Sequence, residues 1–102
     1  MSGLSRRELA RKKAVIAAKL RQGSPIWEGS GLKLYLDDNG FYVVHRASPE
    51  DFIGISPDGV LEDLVGFPVE SSDYENALRA LRGANHEEMR DKVKARYESR
   101  GW

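Results

Sequence analysis

His45 and Arg46 are the neighbouring side chains in this sequence best suited to chemistry. An imidazole that exchanges protons near neutrality, beside a guanidinium and within reach of a carboxylate, could cleave RNA by general acid–base catalysis. A small nuclease built on His45 and Arg46 is therefore one reading. A single histidine near a strand end more often serves structure. The other histidine, His86, falls on a distant element, and two such residues do not make a metal site. Asp37-Asp38-Asn39-Gly40 and Pro57-Asp58-Gly59 resemble fragments of calcium loops. An EF-hand that began at Asp37 would need an oxygen ligand where Phe41 stands and a glutamate where Ser48 stands, so the match fails. Turn chemistry explains both stretches. No nucleophile elbow or P-loop occurs. With no cysteine, thiolate nucleophiles, zinc–thiolate sites and disulfides are excluded. No metal or cofactor is expected, and the leading reading is non-catalytic.

Charge is the next resource for binding. The 102 residues have zero net charge, but the charges are segregated. Residues 1–22 hold seven Lys/Arg against one acid, residues 23–78 two against eleven, and residues 79–102 seven against four. Two outcomes are open. The basic ends can fold across the acidic middle, or each block can face its own partner. Arg7, Arg11, Lys12 and Lys19 on the first helix are the candidate nucleic-acid contacts, and such binding would weaken with salt. Asp37, Asp38, Glu62 and Asp63 are candidate contacts to a basic protein surface. Tyr35 and Tyr42 complete that set. They alternate opposite Leu34 and Val43, so a sheet covered on its leucine face would leave both on the open face as interface anchors.

Several elements must position these groups. Leu32, Leu34 and Leu36 alternate with Lys33 and Tyr35, Asn39-Gly40 suits a tight turn, and Phe41–Val44 is aromatic and β-branched. This predicts a β-hairpin over residues 32–46. Ser5 and Glu8 form a capping box, with Leu4 and Leu9 as a hydrophobic staple, for a helix over residues 5–22. Its stripe is Leu9, Ile16 and Leu20. Ile26 and Trp27 fold back or start a short strand. Ser48-Pro49-Glu50-Asp51 reads as a single helical turn before a strand at 52–56. Ser56-Pro57-Asp58-Gly59 is a type I turn. Val60–Val65 fits a fourth strand or a short helix. Ser72 and Glu75 cap a second helix with Tyr74, Ala77, Leu78 and Leu81 on one face, closed by Gly83 at C′. A third helix from Asn85 carries Met89, Val93 and Tyr97. Terminal Trp102 is a core or contact residue.

The expected fold is α+β in one domain over residues 1–102. It comprises an amphipathic N-terminal helix, an antiparallel meander of three to four strands around the hairpin, and two C-terminal helices on one sheet face. Without an apolar leader or a run long enough to span a bilayer, a cytoplasmic protein without a membrane partner is expected. The leading function is a small protein-binding regulator, inhibitor or assembly component, as a monomer or homodimer. Nucleic-acid binding through the first helix is second, and the nuclease third.

Overall fold

The computed structural model describes residues 5–101. Helix α1 spans Arg6–Arg21. Strands β1 (Trp27–Gly29), β2 (Leu32–Leu36), β3 (Tyr42–Ala47), β4 (Glu50–Ile55) and β5 (Leu61–Asp63) follow, then helices α2 (Ser71–Gly83) and α3 (Glu87–Glu98). The strands form one antiparallel five-stranded meander in chain order. The fold is α+β, as its sequence pattern predicts; β5 is the fourth strand offered for residues 60–65, and β1 the short strand offered at Trp27.

The core fills one face of this sheet. Leu32 and Leu34, Tyr42 and Val44, and Ile53 and Ile55 lie buried there beneath Tyr74, Ala77, Ala80 and Leu81 of α2 and Met89, Val93 and Tyr97 of α3. Fully burying a leucine or isoleucine contributes about 1.5–3 kcal/mol relative to exposure, which makes the periodic stripes of α2 and α3 the main anchors of the C-terminal half. The edge strand is fastened as well, because the Leu61 N–H donates to Tyr97 Oη at 2.8 Å.

Several local expectations change. Ser48-Pro49 makes no helical turn. It is a two-residue connection with a cis peptide, and strand pairing continues to Ala47 opposite Glu50. One isolated turn cannot offset its nucleation cost, whereas the ladder satisfies these backbone groups. Residues 61–63 are strand, not helix. Helix α2 starts earlier than the Ser72–Glu75 box implies, because the Asp73 carboxylate accepts the Glu70 N–H at 2.9 Å and fixes the N-cap there. Gly83 is helical, and Asn85 takes the positive φ of +62° that ends this segment. Ser5 does cap α1, accepting the Glu8 N–H at 3.2 Å. The Leu4 staple and Trp102 lie outside the described residues.

The largest correction concerns sheet faces. Alternation along the hairpin predicts Tyr42 on the open face with Tyr35, yet Tyr42 pairs with Leu36 and Val44 with Leu34. Tyr42 and Val44 therefore share the leucine face, and Tyr42 is buried. Helix α1 is not stacked with the other two helices. It crosses the opposite face, where the Lys13 ammonium donates to the Glu50 carbonyl at 2.8 Å.

Candidate functional site

Strand alternation puts Tyr35, Val43, Phe52 and Gly54 on the face that α1 crosses. Phe52 is fully buried there. Gly54 has no side chain, and a Cβ at that position would strike the Phe41 ring and Leu64 Cδ2, at 2.8 and 2.9 Å. The missing Cβ lets Phe41 and Leu64 come together over the sheet. Between this floor and α1 lies a groove of about 650 Å³. Its apolar lining comprises Ile16 and Leu20 of α1 with Tyr35, Leu36, Phe41, Val43 and Leu64, and its charged members are Lys19, Asp37 and Asp38.

Helix α1 covers this groove without closing it. None of its side chains is buried, and Val15 on its outer side is 57% exposed. Three residues expected at a protein interface, Tyr35, Asp37 and Asp38, converge on this groove. Asp37 is committed to the turn, its Oδ1 accepting the Asn39 and Phe41 N–H groups at 2.8 and 3.0 Å. Asp38 is exposed and has no protein partner among the described residues. Tyr42 lies on the other side of the sheet. Its hydroxyl is 2.7 Å from His86 Nδ1, and burial, with help from the Glu88 carboxylate, raises its pKa. Glu62 is exposed on the α1 side of β5. Asp63 faces the opposite way, and its carboxylate accepts the Val65 N–H at 2.8 Å.

His45 and Arg46 do not converge. Adjacent strand residues point to opposite faces. His45 stacks on Phe52, with ring centroids 4.5 Å apart, and its Nε2 lies 3.2 Å from Glu50 Oε2. Arg46 is held on the other side by Asp51 at 3.6 Å and by the Pro49 carbonyl at 3.2 Å. The two cannot grip one phosphate. Among the described residues, no group of three His, Cys, Asp or Glu side chains is arranged to hold a metal ion. Nor is any helix there long and apolar enough to cross a membrane.

No protein-family model matches this chain, and no curated protein or solved structure is detectably similar to it.

No ion pair among the described residues joins one charge block to another; the pairs are Lys33–Glu28, His45–Glu50, Arg46–Asp51, Arg90–Asp91 and Lys94–Glu98. Where end-helix cations reach the middle block, they meet backbone carbonyls, Lys13 at Glu50, Lys92 at Pro57 and Arg96 at Asp58. Arg7, Arg11, Lys12 and Lys19 are all exposed.

Sequence reasoning missed the groove floor and one buried cluster. The Phe41-x-Val43 spacing and a glycine inside the apolar strand Phe52–Ile55 were the available signals for the floor. The cluster joins β4, β5 and α2 on the core face. Asp51 hydrogen-bonds the buried Asp73, and Asp63 lies close by. Burial, then the contact with Asp73 and the charge of Asp63, push Asp51 up to about 7. The Phe52 N–H donated to Asp51 pulls the other way without cancelling them.

Proposed function

We propose that this chain is a non-catalytic protein-binding module whose site is the groove between α1 and the sheet. Its occupant is an unstructured segment of another protein, with two or three apolar anchors and a basic residue set against Asp38. One observation supports this above the others: a helix of 16 residues bridges a largely apolar groove and buries none of its own side chains. A helix that served only to close a core would bury its stripe. Ile16 and Leu20 instead stand half-covered above Tyr35, Phe41 and Val43. Completing the burial of a few such side chains yields about 1–2 kcal/mol each. The costs of association offset much of this gain, so the complex is expected to be weak and transient.

Selection of a random peptide display library on the immobilised protein tests the reading. The expected consensus places apolar residues next to Lys or Arg, and enriched peptides bind weakly to Leu20→Gln and Val43→Thr. A library without enrichment, or a consensus indifferent to both changes, contradicts it.

A second reading keeps the exposed Arg7, Arg11 and Lys12 of α1 as a nucleic-acid contact. The absence of ion pairs from α1 to the acidic block among the described residues favours it. On this reading a salt-sensitive gel shift is lost in the Arg7→Glu/Arg11→Glu/Lys12→Glu variant; a shift that survives those changes, or no shift at low salt, sinks it.

A further inference from the structure

The third charge block, residues 79–102, folds into a feature on the other side of the molecule. Arg79 and Arg82 are three apart on α2, and Arg90 and Lys94 are four apart on α3, so each pair lies along one helix face. The two faces meet across a shallow groove of about 280 Å³ with Leu78 in its lining. Helix α1 and its groove lie across the sheet from this site.

Little neutralises these four cations. Arg90 and Lys94 approach Asp91 and Glu98 only at 3.9 Å, and both acids are largely exposed. Exposed pairs of this kind are weak and screened by salt. Arg79 is steadied by the Asn76 side-chain carbonyl at 3.4 Å. Arg82 has no partner among the described residues. Arg90 Nε in this groove, like Arg96 Nε outside it, is buried and donates to nothing among the described residues. Buried donors are nearly always satisfied, and guanidinium groups suit phosphate oxygens in particular.

We propose that the α2–α3 groove binds the sugar–phosphate backbone of nucleic acid. Two rows of cations along packed helices fit a chain of regularly repeating anions. Among the described residues no aromatic ring lines the groove for a base to stack on, so recognition is by backbone and independent of sequence. An acidic peptide fits less well, because among the described residues Leu78 is the one apolar side chain lining the groove and gives a peptide side chain little to anchor on.

The test is fluorescence anisotropy of the whole protein with a labelled DNA duplex between 50 and 200 mM salt. Four phosphate contacts predict a fall in affinity of about two orders of magnitude over that range. Arg79→Gln/Arg82→Gln/Lys94→Gln, all exposed or half-exposed positions, should remove most of the binding and most of the salt slope, while thermal unfolding shows the fold kept. Arg7→Glu/Arg11→Glu/Lys12→Glu on α1 should retain it. Three results overturn the proposal: no binding at 50 mM salt, loss only in the α1 variant, or binding of poly-glutamate in preference to DNA. None of these bears on the α1 groove, whose peptide binding is read separately.

Discussion

Tyr42 Oη and His86 Nδ1 lie 2.7 Å apart, with the two rings edge to face at 5.5 Å. Burial raises the pKa of Tyr42, so its hydroxyl stays a neutral phenol, which can pair with the imidazole in either tautomer. This bond ties the central strand β3 to the N-cap of α3, and its consequence is measurable. Tyr42→Phe should lower stability by about 1 kcal/mol in urea denaturation, the worth of a part-buried hydrogen bond. Tyr35→Phe, on the α1 side, should change it little.

Trp27 and Gly83 make a second such pair. Alanine normally stabilises a helix over glycine by up to about 1 kcal/mol. A Cβ at Gly83 would fall within the indole of Trp27, which is itself close against Gly29. Gly83→Ala should therefore destabilise the protein, by about 1–3 kcal/mol, because overpacking outweighs propensity. Thermal melting gives the sign directly, and a stabilised variant would contradict the packing described.

The Asp51–Asp73 contact predicts a pH dependence. A carboxyl whose folded value, about 7, lies above its ordinary 3.8 holds its proton more tightly in the folded chain. Its contribution favours folding fully at acid pH and is lost as pH rises from about 4 to about 7. Arg46, 3.6 Å from Asp51, is the nearby cation left to offset the carboxylates above that range. Asp51→Asn donates permanently to Asp73. It should flatten the stability profile between pH 5 and pH 8 and gain on the order of 1–3 kcal/mol over the unmodified protein at pH 8. Denaturation at the two pH values checks this.

Helix α1 should open first. It has no buried side chain, and the Lys13–Glu50 hydrogen bond is its one polar tie to the sheet among the described residues. Hydrogen exchange should show α1 amides far less protected than those of α2, through local rather than global opening. Equal protection in the two helices would show α1 to be integral to the core.

Much of this fold was legible in short-range signals. Alternating Leu32, Leu34 and Leu36, the Asn39-Gly40 turn and the Met89–Val93–Tyr97 stripe specify their elements. The side of the sheet that Tyr42 occupies depends on how many residues the turn consumes. Residues 37–41 form the connection, which sets Tyr42 opposite Leu36. Beginning the strand one residue earlier reverses every assignment on β3. Gly83 misled for a related reason, since a glycine required by a neighbour's close approach looks in sequence like a helix terminator. The groove combines residues from α1, β2, β3 and the segment after β5, and no local pattern joins these. The Asp51–Asp73 contact likewise depends on where α2 lands.

The most direct test of the α1 groove is NMR. A peptide with two leucines beside an arginine, taken from the library selection, is titrated into the labelled protein. The largest shifts are predicted at Ile16, Leu20, Tyr35, Phe41, Val43 and Leu64, with a smaller change at Asp38. Shifts confined to α2 and α3, or none at millimolar peptide, would contradict the assignment of this groove as the binding site.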